Sequence, residues 1–336
     1  MTDIRSSLAV RRFTLVAVVI PAGLTLAALV VQLLALPDVP GTIAIHWGPT
    51  GQADGFGPAW VNPLVTLVAG LGLPLLIALI CLPGLRRGDS GPTYRLMGTV
   101  AASVSALIGV LASGTLVTQR GLADAVDAPS VIPVLIVAVL AALVVGLVAW
   151  FIQPTQEVRN VTSVPASGIT LAPGEHAAWF KTAEMGRGAT LVIGVTCALL
   201  AGTALFVWFA GGPPSIAVIL GALTLFLIAT SLMTLAFTVR VDGAGLSVVS
   251  LVGFPRFTVP LGDVSKVQVS DVSPMGEFGG YGIRSVVGAT GIVLRRGPAI
   301  SVDRVSGRRF VVTVDDAARG GALLESLARR EATPQG

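Results

Sequence analysis

Six apolar blocks constrain this chain more than any other feature: residues 13–36, 63–82, 94–117, 131–152, 189–210 and 214–237. An α-helix needs roughly 20 apolar residues to cross about 30 Å of hydrocarbon, and each block supplies them. No Asp, Glu, Lys or Arg lies in the middle of any block. Composition agrees with this: 53% of the 336 residues are hydrophobic, 12% are charged and the mean hydropathy is +0.85. A soluble protein carries about a quarter charged residues. The expected fold class is therefore an α-helical polytopic membrane protein of about six spans. The first block follows Arg5, Arg11 and Arg12, as a secretory signal would. Its apolar core is too long for a signal and lacks a small-x-small cleavage site, so it is expected to stay as an anchor.

Lys and Arg in the connections set the orientation. The N-terminal tail holds three Arg, whereas the 37–62 loop holds neither Lys nor Arg. Arg86 and Arg87 follow the second block, and only Arg120 sits in the next loop, beside Asp124 and Asp127. Segment 153–188 holds Arg159, Lys181 and Arg187; residues 211–213 hold none; the twelve remaining Lys and Arg lie beyond Phe237. This alternation predicts a bacterial cytoplasmic-membrane protein with both termini cytoplasmic. It also explains the basic pI of 9.7 through attraction to anionic lipid. Nucleic acid is not an expected partner, since no basic stripe interleaved with aromatics appears. Cys81 and Cys197 fall in or beside apolar blocks, without metal-ligand spacing, and read as small buried hydrophobes.

The uncharged blocks argue against an ion-coupled pump. Small residues recur every four positions instead: Ser105, Gly109 and Ser113; Ala138, Ala142 and Gly146; Gly194, Ala198 and Gly202. Such rows let helix backbones approach closely, although an Ala- and Gly-rich composition also produces them. Pro74 is expected to kink the second span.

Between the first two blocks lies a polar island, residues 43–62, IAIHWGPTGQADGFGPAWVN. Gly51 and Gly55 supply permissive backbone, and Asp54 suits a turn in which it bonds local amides. An alternative has His46 and Asp54 converging on a metal or an anionic headgroup. Two donors fall short of the four a structural zinc site takes, so neither metal nor cofactor is expected. The stretch HWGPTGQADGFG resembles the His-aromatic, Gly-x-x-Asp-Gly signature of the domain-of-unknown-function 1648 family. That family's bacterial membrane proteins share the domain with immunity proteins against the sporulation-delaying toxin. The resemblance covers about the first hundred residues. It makes His46, Trp47, Gly51, Asp54 and Gly55 the candidate ligand-binding set. Trp47, Phe56 and Trp60 would each gain from burial, which predicts an ordered loop with His46, Trp47 and Asp54 around a shared polar pocket. Aromatic anchoring in the interfacial layer is the competing account.

Segment 153–188 is punctuated by Pro and Gly and reads as loop with short ordered pieces. Within it LAPGEHAAWF resembles the lead-in to paired spans in bacterial membrane proteins that carry a pleckstrin-homology-like domain. Beyond Phe237 the period changes to two: Val239/Val241, Leu246/Val248, Val267/Val269, Ile292/Leu294 and Phe310/Val312/Val314 each share a face. Asp315 or Asp316 is placed to cap a helix near 315–330 with Leu323, Leu324 and Leu327 on one stripe. Short strands closed by one helix resemble a bacterial pleckstrin-homology-like domain, which implies seven strands; a generic small barrel or sandwich fits the pattern as well. Gly279, Gly280, Tyr281, Gly282 and Arg284 form a candidate anion nest or membrane-surface loop, against the plainer reading of an inter-strand loop.

The expected organisation is a four-span domain (1–152), a cytoplasmic connector (153–188), a two-span hairpin (189–237) and a cytoplasmic β-rich, pleckstrin-homology-like domain (238–336). No catalytic residues are expected. The two His residues fall on opposite sides of the membrane, neither Cys has a base in view, and Glu175 beside His176 is the one local acid–base pair. The functional expectation is a receptor-like or immunity-like binding protein that senses or sequesters a peptide or envelope component through the external loop. The alternative is a membrane-tethered scaffold acting through the cytoplasmic domain, with a lipid transporter or membrane enzyme ranked below both. The lipid bilayer, a peptide or protein ligand at the external loop, and a second copy in a homo-oligomer are the expected partners.

Overall fold

The computed structural model describes residues 2–158, 163–172, 175–209 and 214–332, with side chains from residue 7 onward. Arg159, Pro173, Gly174, residues 210–213 and the Arg5 side chain, all named above, lie outside the described residues. The chain divides into two compact units, Met1–Arg159 and Asn160–Gly336.

In the first unit, helix α1 (residues 2–35) leads into a hairpin of β1 (Thr42–Trp47) and β2 (Ala53–Pro58). Helices α2 (Val61–Arg86), α3 (Pro92–Val117) and α4 (Ile132–Ile152) follow. The burial pattern is inverted relative to a water-soluble bundle. Thr25, Gln32, Thr66, Ser105 and Thr115 are buried between helices, whereas Leu26, Leu34, Leu79, Leu143 and Phe151 face outward. That is the arrangement a hydrocarbon solvent selects, since polar groups there find partners only inside the protein. Gln32 Nε2 donates to Thr66 Oγ1 at 2.8 Å and to Ser113 Oγ at 3.1 Å, tying α1 to α2 and α3. At the far end of α3, the Arg95 guanidinium donates to the Trp150 carbonyl at 2.8 and 2.9 Å and lies 4.1 Å from the Trp150 ring centre.

Two helices contain π-helical turns, Leu15–Val19 and Thr66–Leu71, each just ahead of a proline, Pro21 and Pro74. A proline lacks the donor and crowds the carbonyl four residues back, and the wider turn accommodates both. The expected distortion at Pro74 thus takes the form of a π turn on its N-terminal side. Two of the small-residue rows form helix contacts. A Cβ on Gly109 would sit 3.2 Å from that of Ala28, and one on Gly146 would run into Ser103. The third row does not: Gly194 and Gly202 face open space.

The second unit holds ten strands among the described residues, in two open sheets. One has the order β4-β5-β6-β7, from β4 (Trp179–Glu184), β5 (Ala236–Asp242), β6 (Gly245–Ser250) and β7 (Arg256–Val259). The other runs β3-β8-β11-β12-β10-β9 and uses β3 (Val164–Pro165), β8 (Val264–Val272), β9 (Gly282–Val286), β10 (Ala289–Val293), β11 (Gly297–Arg304) and β12 (Arg309–Thr313). Its β10–β12 pair is parallel; the other pairs are antiparallel. The count exceeds seven partly because segment 153–188 contributes β3 and β4. Of β4's six side chains only Ala183 is buried, so local alternation does not announce an edge strand there.

Helices α5 (Arg187–Phe209) and α6 (Pro214–Thr234) are inserted between β4 and β5, which pair with each other. Glu184 lies opposite Ala236, and the Met185 N–H donates to the Leu235 carbonyl at 2.8 Å. The helical pair leaves and re-enters the sheet at neighbouring residues. Six helices among the described residues are long and apolar enough to cross a membrane, which makes this a multi-pass membrane protein.

The period-two residues form the core of this unit. Val239, Val241, Leu246, Val248, Val267, Ile292, Leu294, Phe310, Val312 and Val314 are buried together, and Val269 packs against them partly exposed. After the one-turn α7 (Pro274–Glu277), the chain closes with α8 (Ala317–Ala332), which adds Leu323, Leu324 and Leu327 to the same core. Asp316 stands at the start of α8 with φ 59°, and its carbonyl accepts the N–H groups of Arg319 and Gly320. Asp and Asn tolerate that left-handed conformation better than most residues.

Candidate functional site

The β1–β2 hairpin is an ordered element at one end of the first unit's helices. Ile43 pairs with Gly57 and Ala44 with Phe56; the register then shifts on either side of the His46–Gly55 pair. Such irregularities re-aim side chains. Here the shift brings His46 Nδ1 to 2.5 Å from Asp54 Oδ1, joining two candidate residues eight positions apart. Gly55 is needed for this approach, because a Cβ there would lie 2.8 Å from the His46 Cβ. Gly51 has φ +78°, and a Cβ on it would sit 2.7 Å from Ser130 Oγ. Both glycines of the signature therefore have steric reasons.

The pair stands at the surface, with the His46 and Asp54 side chains 71% and 51% exposed. Half-buried Trp47 turns elsewhere and donates its indole N–H to the Pro129 carbonyl at 3.2 Å. The expected shared pocket of His46, Trp47 and Asp54 thus resolves into an exposed His–Asp contact and a separate anchor. Phe56 and Trp60 are 41% and 60% exposed, contrary to the burial expected of them.

The chief anchor was not visible as a site residue in the sequence. Gln119, wholly buried just beyond α3, accepts from the Ala44 N–H at 2.7 Å and donates to the Ala44 carbonyl at 3.1 Å. Its amide pairs with β1 as a neighbouring strand would. Asn62 donates to the Ala112 carbonyl at 3.1 Å, the Val131 N–H to the Gly51 carbonyl at 3.2 Å, and Arg120 pairs with Asp38. Ile43 packs with Ala35 and Leu116 beneath the hairpin. The only sequence signal for Gln119 was an uncharged polar residue directly after an apolar span.

As a metal site the pair offers two donors, and no cluster of three His, Cys, Asp or Glu is present among the described residues. In the second candidate loop, Gly279, Gly280 and Gly282 all have positive φ. The Gly280 N–H donates to the Pro274 carbonyl at 3.0 Å, however, and Arg284 Nε donates to the Tyr281 carbonyl at 2.8 Å. Those two donors of the nest are engaged within the loop itself, over buried Phe278. Glu175 Oε2 likewise accepts from the Ala172 N–H at 2.8 Å.

The helix–hairpin–helix that carries the His46–Asp54 pair is the part of the chain that comparison recognises. Residues 23–77 match the model of a family described as Domain of unknown function (DUF1648). The DUF1648 match runs from within α1 through the hairpin into α2 and covers well under half of the chain. No curated protein and no solved structure matches.

Proposed function

We propose that this is an integral membrane binding or regulatory protein, receptor-like or immunity-like, whose hairpin senses or sequesters a peptide or envelope component outside the cytoplasmic membrane of a bacterium. The observation carrying this reading is a rigidly anchored hairpin that leaves its most chemical side chains uncovered. Gln119, Trp47 and Asn62 fix the backbone, whereas His46, Asp54, Phe56 and Trp60 face outward. With Nδ1–H donated to Asp54, the His46 ring offers Nε2 as an acceptor. Phe56 and Trp60 add apolar surface, suited either to the interfacial lipid layer or to apolar side chains of a ligand. The test compares His46→Ala and Asp54→Asn with wild type for sensitivity to membrane-active peptides at equal protein abundance. Changed sensitivity in both variants is expected; unchanged sensitivity in both would leave the hairpin as a structural cap.

The orientation belongs to this proposal: both termini cytoplasmic and the hairpin outside, from the distribution of Lys and Arg. A second reading makes the chain a membrane-tethered scaffold with a pleckstrin-like cytoplasmic domain. Two packed sheets closed by the C-terminal α8 support it.

A further inference from the structure

The outer edge of β8 is covered in an unusual way. Its inner edge pairs with β11 from Val264 to Val272, with one bulge that skips Ser265. On the outer edge, among the described residues, β3 pairs Val164 with Val269 and Pro165 with Gln268, followed by one bond from the Ala166 N–H to the Val267 carbonyl at 3.1 Å. The chain then crosses to α8. Ser326 Oγ donates to the Ile169 carbonyl at 2.7 Å, and Arg330 donates to the Ala172 and Glu175 carbonyls at 3.0 and 3.1 Å. Residues 164–169 thus lie as a strap between a strand edge and a helix, held almost wholly through backbone groups. Val164 and Ile169 are 59% and 48% exposed, and Ala166 is the one strap side chain that is buried.

The helix facing the strap is built for close approach. Gly320 and Gly321 are adjacent inside α8, although each glycine costs a helix interior about 1 kcal/mol. A Cβ on Gly321 would meet Val269 at 3.1 Å and Ala166 at 3.5 Å, and one on Gly320 would meet the Trp179 ring at 2.8 Å. Beside the strap a cleft of about 770 Å³ remains, lined by Ser167, Ala177, Trp179, Ala318, Ala322 and Leu323. Ligand pockets span roughly 300–1,000 Å³, so the strap's small Ala166 and Ser167 side chains leave space of that size unfilled.

We infer that the β8–α8 cleft is a site for an extended peptide strand, filled in cis by residues 164–169. Its external occupant is a partner-protein segment that adds antiparallel to β8 and carries a large apolar side chain where the strap has Ser167. Backbone pairing to the exposed strand edge supplies affinity, and the cleft beside Trp179 reads the side chain. The tethered strap competes at the high effective concentration of an intramolecular ligand, so an incoming segment must displace it. This inference does not depend on the hairpin reading.

The probe is a fluorescent synthetic peptide of residues 163–172 carrying Ser167→Leu, added to the full-length protein in detergent. Ala166→Pro in the chain removes the strap's donor to Val267 and leaves the cleft intact. That variant is expected to bind the probe at least tenfold more tightly than wild type, and a probe that itself carries Ala166→Pro is expected not to bind. Equal affinity for both proteins, or binding to neither, overturns the proposal. A second measurement needs no variant: excess probe should speed hydrogen exchange at the wild-type Ala166 amide while slowing it along β8. An Ala166 amide that stays protected under saturating probe also overturns it. Dimerisation of the Ala166→Pro protein without probe binding, read by light scattering, would assign the cleft to a second copy and overturn the partner-segment assignment.

Discussion

At the scale of single residues, Gln119 decides whether the hairpin is a fixed platform or a loose loop. Its amide satisfies both backbone groups of Ala44 at a buried position. A buried group left unpaired costs about 1–3 kcal/mol, so two such groups make the side chain hard to replace. Gln119→Leu should therefore loosen hairpin docking by roughly 2–5 kcal/mol, read as faster hydrogen exchange at Ala44 and its neighbours. Gln119→Glu keeps an acceptor for the Ala44 N–H but sets a buried carboxylate oxygen against the Ala44 carbonyl, and should loosen docking at least as much. Protection equal to wild type in both variants would show that packing around Ile43 holds the hairpin without the amide. The His46–Asp54 contact is of another kind. Exposed pairs of this kind contribute about 0–1 kcal/mol, so little of the hairpin's stability rests on it.

Among the elements, α8 does two things at once. One face completes the core through Leu323, Leu324 and Leu327, and its Gly320–Gly321 step receives Trp179 and Ala166. Leu324 is fully buried, so Leu324→Asp places a carboxylate where nothing solvates it. A loss on the order of 3–5 kcal/mol is expected in denaturant or thermal unfolding. Arg329→Ala, at a side chain 72% exposed that pairs with Glu325, should cost far less, within about 1 kcal/mol of wild type. Comparable losses from both would mean that α8 does not close the core. The π turns carry a related lesson for the spans. The turn at Thr66–Leu71 holds Thr66, the residue that receives the Gln32 amide, so a proline a turn away shapes the polar contact between α1 and α2.

For the molecule as a whole, the insertion of α5 and α6 between paired strands bears on topology. Because β4 and β5 are neighbours in one sheet, a hairpin that crosses and returns leaves both strands on one side. Segment 163–172 and the strands beyond residue 236 then share a compartment, whichever side that is. Cysteine labelling tests this together with the orientation. Gln52→Cys should react with a membrane-impermeant reagent in intact cells, whereas Ser163→Cys and Arg256→Cys should react only after permeabilisation. Background from the native thiols should be small, since Cys81 is buried and Cys197 lies within α5. Equal labelling of Gln52→Cys and Ser163→Cys in intact cells would sink the six-span arrangement.

The sequence by itself determined the six spans, because uncharged runs of that length satisfy their backbone only as helices in hydrocarbon. It also determined the inward face of the later strands, since a period of two leaves each side chain little choice of side. Gly51 and Gly55 were legible as permissive backbone, whereas Asp54, expected to bond local amides, meets the His46 ring, the alternative the sequence left open. What only the tertiary structure decided depends on partners distant in the chain. Gln119 meets Ala44 across 75 positions, and Ser326 meets Ile169 across 157. No local pattern marks such residues, for their roles exist only once other elements have been brought beside them. The same holds for β3 and β4. One is two residues long and includes a proline, and the other buries a single side chain, so each is a strand only because β8 and β5 offer an edge.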